Sequence, residues 1–553
     1  MTNPRRKGWN RRLALGGGAA AALGLGYFAF QPSKGTPHSS ALDPHTFYRG
    51  NAQDPESLDP ALIEATWEDQ IAGDLLAGLM VYSADCKAIP GMATSWTTSP
   101  DGLTWTFKLR EALWSDGVPV TADDFVYSWQ RTVMPATASF YSYFLYPLKN
   151  ARPINAGKMP PSALGVRALD PHTLEIQLEH PVPYLLQMLV HNSMYPVPRH
   201  VVKAKGKAWA RPGNYVGNGA FTLSEWVPNG HVALAKNPRF YDANNVALDR
   251  VIYYPTDDYS AALRQMRSGE LDIQESYPAA EIDWIKANMP KLLHPVPQLV
   301  TEFIALNPKR KPFDDVRVRE AINLAVNREM LVDKIARGGQ PTAYNLVPPG
   351  VSNFPGGNNF AFKARPYAAR LARAQQLMRQ AGYGPYRRPE VNYMIRSTAP
   401  GAGRAEAVAV QQALALIYIN MSILPNDAAI FYDSLDVHDF DLAQAGWSAD
   451  FDDAETFLQL FQTGGGNNWG EYSNPVFDEL LASSQKDNNL DSRARKLVAA
   501  ETILLQDYAM VPLFFWTSPT LVQPYVKGWI PNKMGFNRSR WVSFDQKARA
   551  AVT

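Results

Sequence analysis

Residues 440–461 read FDLAQAGWSADFDDAETFLQLF and crowd four carboxylates, Asp450, Asp452, Asp453 and Glu455, into six positions. Such a cluster suits capture of a cation, or, if two members are held at the right separation, the acid and base of a glycoside hydrolase. A helix expected over 454–461 gives Asp452, Asp453 and Glu455 ordinary work as N-caps and first-turn partners of its dipole. Asp450 differs. It leaves a short apolar strand expected over 440–445, beside Trp447 and after a close backbone turn at Gly446, where a carboxylate is partly desolvated. A carboxylate so placed needs a fixed cationic partner, from the protein or from a ligand.

Other chemistry is absent from the sequence. There is no GxxxxGK[ST], HExxH or GxSxG, and the nine histidines are scattered rather than spaced as metal ligands. Neither a metal nor a cofactor is expected, and no catalytic residue is assigned. The run QTGGGNNWG around Gly464 could cradle an anion but reads first as a tolerant surface loop. Cys86 is the single cysteine, which excludes an intrachain disulfide and a lipid-anchored amino terminus; it reads as a small buried apolar side chain.

The elements that must hold these residues alternate between strand and helix. At 553 residues, 46% hydrophobic and with 14 tryptophans, the chain is long enough for at least two lobes and their cores. Helical spacing marks 65–79, 122–131, 259–268, 312–328, 367–381, 405–418 and 493–505. Asp101-Gly102 turns a hairpin ahead of the alternating run 103–109, and Thr121 with Asp124 forms a capping box. Further strands are expected over 221–227, 232–236, 513–515 and 520–522, and 400–403 as a loop. Together these elements predict a mixed α/β fold.

Residues 1–32 form a basic head followed by an apolar Gly/Ala-rich run over 13–30. This is an export signal or an uncleaved anchor in the inner membrane, and Arg11-Arg12 suits the twin-arginine route. Either way residue 33 onward lies on the far side, in the periplasm. With Arg5, Arg6, Lys7, Arg11 and Arg12 set aside, 49 basic residues face 52 acidic ones, so nucleic acid is not an expected partner.

Residues 105–110 (WTFKLR), 114–117 (WSDG), 121–131 (TADDFVYSWQR), 169–178 (LDPHTLEIQL), 218–221 (NGAF), 267–272 (RSGELD), 312–319 (PFDDVRVR) and 445–450 (AGWSAD) closely resemble the family-5 solute-binding proteins of ABC importers. The likeness runs over nearly the whole chain after the leader and is strongest with the oligopeptide-binding branch, which includes the murein-peptide binder. It implies a two-lobed α/β fold of the large periplasmic binding protein type (type II), with the ligand cleft between the lobes. Lobe I would comprise 33–78, 202–299 and 518–553, with an inserted subdomain at 79–201; lobe II would be 300–517.

The resemblance further implies a monomeric, non-enzymatic carrier that closes over oligopeptides and delivers them to a permease driven by a separate ATPase. By it, Asp450 pairs with the ligand's α-ammonium, residues 445–448, including Gly446 and Ser448, bond an extended ligand backbone, Trp447 lines a side-chain pocket, and Glu64 and Tyr141 face the ligand. The departures are specific. Basic residues that receive a peptide's carboxylate in this branch are replaced by Ala336, Gly403, Leu435 and Gln444. Arg337 and Arg404 are neighbours, but one position along a helix points about 100° away. Cysteines found in some relatives are Val300 and Ser448 here. The alternatives are an amine-bearing solute that is not a peptide, an anchored ligand-sensing receptor and, remotely, a periplasmic glycoside hydrolase.

Overall fold

The computed structural model describes residues 43–397 and 403–551. The leader and residues 400–402 of the loop expected at 400–403 lie outside the described residues. Ten strands build the main sheet: β1 (Thr46–Gly50), β2 (Phe221–Val227), β3 (His231–Lys236), β4 (Arg250–Tyr254), β5 (Ile273–Gln274), β6 (Leu293–Leu306), β7 (Glu390–Arg396), β8 (Asn420–Asn426), β9 (Leu442–Ser448) and β10 (Met510–Val522). Their order is β8-β7-β9-β6-β10-β5-β1-β4-β3-β2. Parallel pairs (β1 with β4 and β5, β7 with β8 and β9) occur beside antiparallel ones, and helices alternate with the strands along the chain, the mixed α/β class expected.

Two long strands, β6 and β10, link the halves of this sheet. They pair along most of their length, but the register shifts between Pro297 and Thr301, and β10 then passes the sheet to β5 through Ile273 opposite Val522. The expectation of separate strands at 513–515 and 520–522 is corrected to one continuous strand. Pro519 lies within it, opposite Pro295 of β6, and neither residue has an N–H to give to the ladder.

A second sheet, in the order Ala93–Thr98, Thr104–Leu109, Thr173–Gln177, Val166–Asp170, holds the expected hairpin. At its turn Gly102 takes φ +73°, which glycine adopts without cost, and the Asp101 carboxylate accepts the Leu103 N–H at 3.0 Å. The helix Ala122–Val133 begins at Thr121 as its capping box requires: Asp124 Oδ2 accepts the Thr121 N–H at 2.9 Å. The same oxygen accepts the indole N–H of the fully buried Trp114 at 3.4 Å, which ties WSDG to the capping box in one knot. The helix at 259–268 falls as expected, at Tyr259–Ser268 with Gly269 as its left-handed stop; others are trimmed, 312–328 to Val316–Ala325 and 65–79 to Thr66–Leu75. Cys86 is buried and its thiol is pushed up to about 12 by desolvation, in line with a packing role.

Candidate ligand site

The four clustered carboxylates separate into two kinds. Asp453 accepts both terminal nitrogens of Arg493 at 2.7 Å, and Glu455 lies 3.6 Å from the same guanidinium and accepts from Gln485. Asp452 accepts the Ser352 N–H and hydroxyl and pairs with Lys533 at 2.6 Å. Each of these three has a cation within the protein, and the expected helix shortens to Glu455–Leu458 followed by a 3-10 turn, Gln459–Phe461.

Asp450 has none among the described residues. It is buried just past the end of β9, where Tyr143 Oη donates to its Oδ2 at 3.0 Å and Thr456 Oγ1 approaches at 3.4 Å. Desolvation pushes its carboxyl up to about 7, with those two hydrogen bonds pulling the other way. Two neutral hydroxyls do not replace the hydration a carboxylate loses on burial, so the ionised form is left calling for a positive charge.

Around it the structure gathers part of what the sequence suggested. Tyr141 and Tyr143 lie in the 3-10 segment Phe140–Leu145, and their phenols are pushed far up by burial and then by the Asp450 charge. Tyr141 also feels Glu64, which is solvent-exposed and whose carboxyl is raised by desolvation and by Glu68 and Glu56. His191 stacks on Phe144 at 4.2 Å and stays neutral, its pKa driven down to about 3 by burial. Tyr143 carries no sequence signal beyond lying two residues from Tyr141 in an aromatic run.

β9 connects this pocket to a cavity of about 320 Å³. Antiparallel register with β6 places Ser448, Gly446 and Gln444 on one face of the strand, opposite Val300, Glu302 and Ile304. Ser448 lines the cavity together with Phe514 and Trp516 of β10. The Glu302 carboxylate lies directly over Gly446, where an added Cβ would come within 2.9 Å of Oε2. Trp447 points to the other face: it is buried, donates its indole N–H to Thr456 at 3.1 Å and meets Trp469 edge on, so it does not line this cavity. β7 pairs with β9 only through Leu442 and Ala443, so the edge of residues 445–448 that faces away from β6 has no strand partner among the described residues.

Among the described residues the cavity lining includes Glu275 and Glu406 but no lysine, arginine or histidine. Ala336 lies on it, and Gln444 hydrogen-bonds Glu302, both at positions where carboxylate-receiving bases are missing from the sequence. Arg337 is occupied by Asp283, and Arg404 is exposed. Val300 and Ser448, which replace cysteines of some relatives, stand directly opposite one another. Among the described residues no cluster of side chains could hold a metal, and no helix is long and apolar enough to cross a membrane.

Residues 87–469 match the family of bacterial extracellular solute-binding proteins, family 5. The chain is 35% identical over 530 residues to the periplasmic oligopeptide-binding protein OppA of Escherichia coli, covering 94% of this chain and 96% of that one. Among solved structures, the murein tripeptide-binding protein MppA of Escherichia coli superposes with a TM-score of 0.83 at 32% identity, covering 91% of this chain and 99% of the other. Haemophilus influenzae OppA in complex with RPPGFSPFR gives 0.81 at 32% identity over the same shares. Two lobes around a ligand cleft are the architecture of these proteins, and the β6–β10 crossing, the mixed sheet and the motifs from WTFKLR to AGWSAD all fall within it. This chain belongs to family 5 of the bacterial extracellular solute-binding proteins.

Proposed function

We propose that the protein is the periplasmic binding component of an ABC importer and captures oligopeptides by their free amine. The observation that carries this reading is Asp450: a buried carboxylate with two hydroxyl partners, no cation among the described residues, and an unpaired strand edge beside it. An extended peptide laid along residues 445–448 would add a strand to β9, which gives affinity independent of side chains, while its α-ammonium met Asp450 in a charge-assisted contact. Gly446 and Ser448 carry that edge, Tyr141 and Glu64 flank the amine, and Trp447 supports the floor through Thr456.

In this reading the lobes divide as the resemblance implies, at 33–78, 202–299 and 518–553 against 300–517, with 79–201 inserted. The register shift at residues 297–301, opposite Thr517 and Phe515, supports a hinge there. Tyr143, from the inserted segment, reaching Asp450 supports closure of the lobes over the ligand. No bond is broken; the closed monomer is presented to a permease whose ATPase subunits supply the energy. The leader delivers the body to the periplasm, by the twin-arginine route or as a retained anchor. A non-peptide amine is the second reading, favoured by a cavity that, among the described residues, offers a ligand carboxylate no base.

Calorimetry and tryptophan fluorescence of residues 33–553 with tri- to pentapeptides, free, N-acetylated and C-amidated, test the reading. Binding that requires the free amine, tolerates amidation, disappears in Asp450→Ala and leaves the peptides intact is expected. Binding of acetylated peptides equal to that of free ones would refute it.

A further inference from the structure

A buried carboxylate, Glu302, stands beside the cavity and is bonded to Trp516 of its lining. Glu302 stands at the centre of the β9–β6–β10 face: Gln444 Nε2 donates to its Oε1 at 3.2 Å and the Trp516 indole N–H to its Oε2 at 3.1 Å. Glu406, from the helix Gly403–Ala415, lines the cavity itself; burial, and after it the Glu302 charge, push its carboxyl up to about 8. Burial also raises the carboxyl of Glu302 itself. Neither carboxylate has an ion pair among the described residues. The cation that acts on Glu302 is Arg396, through space, and its guanidinium is hydrogen-bonded to Tyr432.

A second observation, independent of the acids, points to a missing donor. Gln444 is 8% exposed, and its amide orientation is fixed because only the NH₂ can face the Glu302 carboxylate. That turns Gln444 Oε1 away from Glu302, buried and without a hydrogen-bond donor, on the strand face it shares with Gly446 and Ser448. Gln70, which does line the cavity, repeats the pattern: its NH₂ is used by Glu275 and the Gly535 carbonyl, and its Oε1 is left without a donor. Buried acceptors with no donor are rare because each costs the hydration it lost. The two carboxylates call for positive charge and the two orphaned amide oxygens for donors, and an ammonium or guanidinium supplies both.

We infer that Glu302, Glu406 and Gln444 form a second cation subsite, so that the ligand is an amine-headed peptide bearing a lysyl or arginyl side chain. This rests on the reading of Asp450 as the amine anchor. Glu302 lies opposite Gly446, four residues back along β9 from Asp450, which is about 13 Å of extended chain. A peptide held by its amine at Asp450 brings its third to fifth residues to that point. Trp516 and Phe514 on the same face give the stem of a long basic side chain an apolar and aromatic bed.

The test compares pentapeptides of alanine carrying lysine or its uncharged isostere norleucine at each position, with trialanine and 1,5-diaminopentane as further probes, on wild type, Glu302→Gln and Glu406→Gln. Lysine at one of positions three to five is expected to bind at least about tenfold tighter than norleucine there, the effect of one charge-assisted hydrogen bond. Either glutamine variant should reduce that ratio and leave trialanine unchanged. Equal binding of lysine and norleucine peptides at every position, with trialanine still dependent on Asp450, overturns the subsite and leaves the amine anchor standing. Binding of the diamine but of no peptide supports the subsite and overturns the peptide reading, and binding of neither overturns both.

Discussion

Asp450 titrates where a bacterial periplasm operates, and that makes its role measurable with an uncharged-side-chain ligand such as trialanine. With its carboxyl at about 7, the empty site is half protonated at pH 7 and only about one part in a hundred ionised at pH 5. A bound α-ammonium, itself protonated below pH 7, stabilises the ionised form and draws the pKa well below 5 in the complex. Affinity should therefore weaken about 50-fold from pH 7 to pH 5, about 2.3 kcal/mol, and binding at pH 6 should release about 0.9 of a proton. Of the groups facing Asp450, Tyr141 and Tyr143 titrate far above this window and His191 at about 3, while the carboxyl of the exposed Glu64 is raised by desolvation and by Glu68 and Glu56. Calorimetry in two buffers of different ionisation enthalpy reads the proton count directly. Tyr143→Phe removes a hydrogen bond that holds the carboxyl down, so the midpoint should move to higher pH. Trialanine affinity that is flat from pH 5 to pH 8 would refute the assignment, as would an Asp450→Asn variant with the wild-type slope.

Because the empty native state holds a proton on Asp450 that the unfolded chain has released, that residue's contribution to stability is present below about pH 4 and lost as pH rises through 7. Asp450→Asn should accordingly stabilise the ligand-free protein at pH 8 by about 2–4 kcal/mol in denaturant melts, and show no gain at pH 4. Asp453→Ala removes both hydrogen bonds of the Arg493 guanidinium, which is 1% exposed and keeps only Glu455 at 3.6 Å, and should cost about 3–5 kcal/mol by the same assay. Gly446→Ala places a Cβ against the Glu302 carboxylate and should weaken lysine-bearing peptides more than trialanine in the calorimetric series. The Cys86 thiol should resist aromatic disulfide reagents in the native protein at pH 8 and react once the protein is unfolded, since the thiolate is scarce and the sulfur buried.

Individual residues mark how far local sequence patterns reach in this chain. Asp450 stands apart from Asp452, Asp453 and Glu455 in sequence because it alone sits at a strand exit, and the structure separates them the same way, by which of them meets Lys533 or Arg493. Those partners lie about 40 to 80 residues away in the chain, and no local pattern names them. Alternation and turn residues locate the hairpin at 103–109 and the capping box at Thr121, because both are short-range devices. They fail at β10, where Pro519, opposite Pro295 of β6, lies inside a strand that runs on from Met510 to Val522. Glu302 is invisible for the same kind of reason: in sequence it is one polar residue in the apolar run VTEFIAL, and only the pairing of β6 with β9 and β10 brings Gln444 and Trp516 to it. Trp447 reads as a pocket wall from its neighbourhood, but the two-residue period of a strand sends it to the face opposite Ser448.

The most direct test of the amine anchor is a crystal structure of residues 33–553 with trialanine bound. The peptide's ammonium nitrogen is expected about 3 Å from an Asp450 carboxylate oxygen, with main-chain hydrogen bonds between the ligand and residues 445–448. A peptide bound with its amine in solvent, or seated with its carboxylate toward Asp450, would overturn the anchor.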